Sequence, residues 1–451
     1  MRLTHKAGSA TYSKSKTSKF TRQVNIPRIM KFQISMLALA IVCIQCAAPI
    51  QQKELLVIKG ATIIDGTGAP AMPNATLVIL DGTIQSIGDA NSTEIPNGAT
   101  LVDATGKFVM PGLINAHGHI GGTTGLSAGY STENVIRDLR LSAAYGVTTV
   151  FSLGGDEAPS MAIRDEQDTI SLDRSRLYVA GEVVTGKTPE EARAAVDKNA
   201  AMNVDVIKIR VDDNLGTTEK MSPEIYEAVI DQAKKHNLPV ADHIFYLDDA
   251  KALVKLGVRM IAHSVRDREV DDEFIQLMLA NNTYYCPTLM REVSTFIYES
   301  TPSFFEDPFF LKEADTSIIN QLNQPERQQR IKESKGAQAY KEALRIAKLN
   351  LKKLADQGVM IAMGTDTGPP ARFQGYFEHL ELQQMTEAGM SPGQIIVAAT
   401  KTAAKCIGDD KIGTLEKGKK ADLLILDENP LDDIQNTRSI ESVWIGGKKL
   451  N

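Results

Sequence analysis

This 451-residue chain has only seven histidines, and four of them stand where they could bind a metal. His117 and His119 lie two apart at the end of one apolar run, on one face if that run is a strand. His243 and His263 each close a later apolar run, and Asp366 closes another in GTDTG. Neutral imidazole nitrogen and carboxylate oxygen suit zinc or a similar divalent ion. A single buried histidine is more often a hydrogen-bonded core residue than a ligand. Such donors at like positions in several separate runs, however, point jointly to a metal site. His236 ends a helical stretch in KKHNLP, where a cation suits the helix dipole. His379 reads as a supporting or surface residue, and His5 lies in the leader.

Lys208, near the end of a further run, needs its own explanation. An ammonium among metal cations is repelled and costly to desolvate. Reaction with carbon dioxide would make it a carbamate, an anionic oxygen bridge able to hold two metals. The plainer alternative is a lysine paired with Asp205, Asp212 or Asp213, or snorkelling to the rim. Spacing alone leaves both open.

Eight apolar, β-branched runs carry these residues: GLINAHGHI (112–120), VTTVFSL (147–153), RLYVAGEVV (176–184), VDVIKIR (204–210), LPVADHI (238–244), VRMIAHSV (258–265), TYYCPTL (283–289) and VMIAMGTD (359–366). Amphipathic stretches such as TPEEARAAVDKNAAM and SPEIYEAVIDQAKKH separate them, several with Ser, Thr or Asp at the cap position. Alternation of this count predicts an α/β fold, a (β/α)₈ TIM barrel over residues 110–408, with its donors at the carboxyl ends of strands where such barrels build their sites. The segment 301–357 is longer than a plain connection and is expected to add a helical excursion over the mouth. Short β-rich runs at 54–109, with an Asp81-Gly82 turn, and at 409–451, with Gly446-Gly447, predict a small composite β-sandwich domain built from both chain ends. Loops 121–131, 184–188, 266–269, 289–335 and 367–376 are expected to set substrate choice. Tyr284, Tyr285 and Arg372 are candidate pocket residues, although aromatic residues in strands are usually core.

The formal net charge of -6 hides an asymmetry. Residues 1–48 hold eight Lys or Arg and no acids, leaving 42 basic against 56 acidic side chains in the rest. A body that acidic argues against nucleic-acid binding by counterion release. Residues 1–29 read as disordered or as an extension upstream of the true start at Met30. Residues 30–48, a basic start and the apolar run ISMLALAIVCIQCAA, read as a signal peptide or lipoprotein signal, which predicts an exported protein, periplasmic or lipid-anchored at the membrane surface through Cys46. The alternative is a buried helix. Only Cys286 and Cys406 remain beyond it, too few for a disulfide framework, and both read as small buried hydrophobes.

The runs PGLINAHGH, VDVIKIRVDD, ADHIFYLDDAKALVKLGV, IAHSVRDREVDDEF and GTDTG, closed by IGTLEKGKKADLLILDENPLDDI, resemble the amidohydrolase superfamily in its imidazolonepropionase-like and prolidase-like branch. The resemblance implies that His117, His119 and Asp366 hold one metal, that His243 and His263 hold a second, and that carboxylated Lys208 bridges two divalent ions, zinc first, with manganese or cobalt as alternatives. It implies hydrolysis of a C–N bond in a small-molecule amide such as a dipeptide or N-acyl amino acid, with Asp366 as the catalytic proton carrier. Barrels of this kind often pair into homo-oligomers. A one-metal cyclic amide hydrolase or deaminase on the same fold is the nearest alternative. GEVVTGKT (181–188) also satisfies the P-loop pattern after a strand and before a helix, so nucleotide hydrolysis is a further reading, although Pro189 and the loop valines fit a phosphate cradle poorly. An exported binding protein without turnover is the third.

Overall fold

The computed structural model describes residues 54–450, so the leader at 1–48 lies outside the described residues. Strands from both ends of the chain share one sheet. Its order is Lys448–Lys449, Ile440–Ile445, Leu423–Leu426, Phe108–Pro111, Leu55–Ile63, Met72–Leu80 and Thr83–Asp89, with Thr100–Asp103 beside Leu55–Ile63. Two hairpin turns anticipated from sequence are present, each with both central residues at positive φ: Asp81 and Gly82 at 48° and 74°, Gly446 and Gly447 at 58° and 73°. The turns touch. A Cβ on Gly82 would lie 2.6 Å from the Gly446 carbonyl oxygen. Alternate side chains of the sheet, among them Leu77, Ile79, Ile84, Leu423, Ile425 and Trp444, form its own apolar core.

The middle of the chain pairs in parallel. Leu113–Gly118, Val147–Ser152 and Arg176–Val179 are neighbours, as are Ile207–Val211, Val240–Ile244, Met260–Ala262 and Tyr284–Cys286 in that order. Isolated parallel bridges continue the series from Val184 to Ile209, from Tyr285 to Ile361, and from Thr367 back to Gly118. Helices intervene, and Ser131, Thr188, Asp271 and Ser334 cap four of them by accepting a backbone N–H three residues on. Ile207, Ile209, Val211, Val240 and Ile244 pack in one cluster with helix residues such as Val229, Ala233 and Leu253. The opposite faces carry Ala116, Ala180, Ala241, Ala262 and Ala362 beside Phe151 and Tyr284, small side chains that let the strands approach one another. Cys286 and Cys406 are buried free thiols, as their sequence context suggested.

The expected strand at 359–366 is absent as a strand, and only the bridges at Ile361 and Thr367 remain. The cause is local. Gly364 lies against strand one so closely that a Cβ there would meet Cys286 Sγ at 2.5 Å and His117 N and Cβ at 2.8 Å. Asp366 takes a φ of 61° and Gly368 one of 111°. Such a backbone cannot keep a regular ladder. The excursion after Tyr284–Cys286 is helical, with short helices at Pro308–Leu311, Thr316–Leu322 and Pro325–Glu333 before the long helix Lys335–Asp356. Its Phe304, Phe305 and Phe310 pack with Tyr145, Tyr376 and Phe377 in a separate aromatic cluster.

Replacing Gly364 by Ala is expected to destabilise the protein by about 1–3 kcal/mol through overpacking. Scanning calorimetry reads this as a lowered Tm; an unchanged Tm would show that segment 359–366 can retreat from Leu113–Gly118 (strand one) at no cost.

Candidate metal centre

The end of strand one and the GTDTG segment meet through a buried polar web. Asn115 Nδ2 donates to Thr365 Oγ1 (2.9 Å), Thr367 Oγ1 (3.1 Å) and Glu378 Oε1 (2.5 Å), while its Oδ1 accepts from the backbone N–H of His117 (3.0 Å). The backbone N–H groups of Thr365 and Asp366 donate to the His117 carbonyl (3.1 and 2.7 Å). This web turns the His117 backbone out of the ladder, whose register slips between Asn115 and Gly118. It also brings Asp366 onto the HGH pair. Asp366 Oδ1 lies 2.9 Å from His119 Nε2 and 3.5 Å from His117 Nε2. Its other oxygen pairs with Arg372 Nη1, which also donates to the Asp366 carbonyl (3.2 Å).

The later imidazoles close in from the other side. The His263 ring centroid is 4.6 Å from that of His117 and 4.0 Å from that of His243. His117, His263 and Asp366 each offer a ligand atom, all within 4.8 Å of one another, and all three are buried. His263 sits at φ 77°, Thr288 at 45° and Asp366 at 61°, left-handed conformations that cost non-glycine residues energy and gather at functional sites. The hydrogen bond between His263 Nδ1 and Thr288 Oγ1 (2.7 Å) uses one ring nitrogen and leaves Nε2 toward the other donors. His119 is oriented likewise by Nδ1 on the Gly154 carbonyl (2.8 Å).

His243 differs from its sequence expectation in one respect. Its Nε2 is committed to Asp212 Oδ2 at 2.7 Å, so only Nδ1 is free for a ligand. Lys208 is 3% exposed, and its Nζ has no hydrogen-bond partner among the described residues. The pairings weighed for it are each taken. Asp205 binds Arg164 (2.6 Å), Asp212 binds His243, and Asp213 accepts from the Tyr246 hydroxyl (2.8 Å).

Burial depresses the Lys208 ammonium to about 8, against the pull of Asp366 and Asp242. Burial also holds His117 and His263 well below the usual histidine range, with neighbouring positive charge adding to it, and brings His243 to about 3. These rings are therefore neutral, the form that binds metal. Burial opposes ionisation of Asp366, yet Arg372 and the two imidazoles hold its carboxyl well below the carboxylate range. A set of neutral imidazoles, one carboxylate, an unpartnered His117 Nδ1 and an unpartnered Lys208 Nζ fits a divalent ion.

Sequence reasoning missed Asn115, Thr288 and Glu378, and weighed Asp212 only as a partner for Lys208. Three of the four fall within the quoted runs, but the contacts through which they support the donors could not be read from those runs. Arg372 was expected as a pocket residue and does touch the site. Tyr285 does not, since it is fully buried and its hydroxyl accepts from the Val265 N–H, while Tyr284 packs under Arg259. His379 is buried rather than at the surface, with hydrogen bonds to the Tyr145 carbonyl and Thr437. His236 caps its helix, as expected, and also pairs with Asp197. In GEVVTGKT the Lys187 N–H donates to Glu191 and Thr188 caps the next helix, so the loop turns its polar groups to its own helix rather than to a phosphate.

The family model described as the amidohydrolase family matches residues 108–450. The ochratoxinase of Aspergillus niger is 27% identical over 469 aligned positions, covering 89% of this chain and 88% of its own. The imidazolonepropionase of Brevibacillus brevis is 22% identical over 412, covering 81% and 89%. Among solved structures, a provisionally assigned prolidase from Bifidobacterium longum superposes with a TM-score of 0.72 at 27% identity, covering 88% of this chain and 94% of that one.

Replacing Asn115 by Ala is expected to cost about 1–3 kcal/mol, the cost of leaving buried polar partners unmade. A denaturation midpoint equal to wild type would show that the web does not hold the HGH segment.

Proposed function

Because this chain belongs to the amidohydrolase family, hydrolases acting on C–N bonds, we propose that it cleaves the amide of a dipeptide or N-acyl amino acid. The family is generally metal-dependent. In this reading His117, His119 and Asp366 hold one divalent ion, His243 Nδ1 and His263 hold a second, and carboxylated Lys208 joins them. The single observation that carries it is the convergence of four imidazoles and Asp366, with Lys208 buried near enough for its charge to act on them and its Nζ without a partner among the described residues. A carbamate there removes an unpaired buried cation and adds anionic oxygen, which makes both features of the site intelligible.

Bound ions of this kind supply a water of near-neutral pKa and polarise the substrate carbonyl. The chain's own residues do the rest. Asp366 Oδ1 accepts the proton of the attacking water and returns it to the leaving amine. Arg372 fixes the other oxygen, so the carboxylate keeps one orientation through the cycle. Thr288 and Gly154 hold the tautomers of His263 and His119.

A second reading has one specific observation behind it. His117, His263 and Asp366 alone form a compact triad of donors, as a one-metal cyclic amide hydrolase or deaminase would use.

The parallel pairings described above support reading residues 110–408 as a (β/α)₈ barrel, and the shared sheet supports reading 54–109 with 409–451 as a composite domain. The basic and apolar leader at 30–48 supports an exported enzyme.

Treatment with a chelator is expected to abolish amide hydrolysis, and zinc, manganese or cobalt to restore it; activity indifferent to chelation rejects the reading. Elemental analysis is expected to find two divalent ions per chain, falling toward one in Lys208→Ala, whereas a single ion in wild type selects the triad instead. Asp366→Asn is expected to lower kcat by roughly 10²–10⁴-fold, the scale of a lost proton carrier.

A further inference from the structure

We propose that the cavity between loop 368–376 and segment 310–318 is a pocket for a carboxylate joined to a bulky apolar group, and that it receives the carboxyl-terminal residue of the substrate. The inference deepens the amide-hydrolase reading and rests on it.

The cavity measures about 190 Å³, below the few hundred Å³ that enclose a whole small ligand and so suited to one arm of a substrate. Leu141, Tyr145, Phe310, Phe373 and Tyr376 form its apolar wall. The Tyr145 hydroxyl donates to the Phe310 carbonyl and the Tyr376 hydroxyl to Asp307, so both turn rings rather than free donors to the cavity.

Two donors answer this wall. Gln374 lines the cavity, is 9% exposed, and its Nε2 is buried with no hydrogen-bond partner among the described residues. A buried amide donor left unmet costs free energy, which a ligand oxygen relieves. Arg372 lines the same cavity. Both of its hydrogen bonds, to the side chain and carbonyl of Asp366, come from Nη1, which leaves Nε and Nη2 unengaged among the described residues. A guanidinium edge and an amide N–H lining one cavity match a carboxylate. Arg137, also at the cavity, is already committed to Asp138 and to the Thr123 carbonyl.

The cavity adjoins the metal centre through shared residues. Arg372 touches Asp366, and Gly368, which lines the cavity, lies so close to strand one that a Cβ would meet the His119 carbonyl oxygen at 2.1 Å. Glu313 and Asp315 also line the cavity and are exposed, so a bound carboxylate belongs at the Arg372 and Gln374 end, away from them. A substrate whose amide lies at Asp366 can thus send its carboxyl-terminal residue past Arg372, with the carboxylate on Arg372 and Gln374 and the side chain against the rings.

The test uses the full-length, metal-loaded enzyme. Acetate release is measured from N-acetylphenylalanine, its C-terminal amide and N-acetylglycine, and calorimetry measures binding of 3-phenylpropanoate and 3-phenylpropanamide. The expected results are a kcat/KM for N-acetylphenylalanine at least about tenfold above both other substrates, and tighter binding of the acid than of its amide by about the same factor. Ala314→Phe, which fills the cavity, and Gln374→Leu are each expected to weaken 3-phenylpropanoate about tenfold. Equal rates on all three substrates with equal binding of both probes overturn the pocket and leave hydrolysis standing. The expected binding without acetate release upholds the pocket and removes the hydrolase reading. Preference for the acid that survives both substitutions assigns it to another site and overturns the proposal. Should both variants unfold by circular dichroism, the wild-type comparison of acid with amide still decides.

Discussion

The closest constraint in this protein is the seam where the GTDTG segment meets strand one. There is no room for a side chain at Gly364 or Gly368, and both lie against the backbone of the HGH segment. That contact is what makes Asp366 a neighbour of His117 and His119, although some 250 residues separate them along the chain. Asn115 and Glu378 secure it with hydrogen bonds inside the protein, where they are protected from competition with water. The same closeness removes the regular ladder from the eighth segment. Order in the ladder and proximity of the candidate metal donors are alternatives here, and the chain has taken proximity.

Part of the backbone strain lies where chemistry is expected. His263, Thr288 and Asp366 hold left-handed backbones at the ends of successive segments, and each is over-determined by hydrogen bonds or packing. Around them His117, His243 and His263 are kept neutral by burial while Asp366 is kept ionised by Arg372 and its neighbouring imidazoles. One pocket therefore lowers the titration of both donor types, so these imidazoles stay neutral and the carboxylate stays ionised further into acid than in bulk water.

Much of this was legible in the sequence, and the reasons are physical. The runs ending in HGH, DHI, AHS and GTD show apolar strands handing over to polar ligands, and that handover is local. The turns at Asp81-Gly82 and Gly446-Gly447 were equally local, because positive φ at both positions demands those residue types. What was not legible is what depends on contact across the chain. Asp212 sits in a polar stretch like any loop acid, yet it takes one nitrogen of His243. Thr288 looks like the end of a strand, yet it sets the tautomer of His263. The regular look of VMIAMGTD concealed two close approaches that break its pairing. Arg372, suggested by its loop, gained a specific partner only when the fold brought Asp366 to it.

The shared sheet has a consequence for biosynthesis. Leu423–Leu426 lies between Phe108–Pro111 and Ile440–Ile445, so strands made late extend an edge left open by strands made early. A growing polypeptide would carry the open edge of Phe108–Pro111 through synthesis of the whole intervening core. Pairings so distant in sequence close slowly and leave sticky edges exposed meanwhile. The apolar, turn-bounded strands between residues 423 and 449 thus act as a latch that closes on the early strands only once the intervening core has been made.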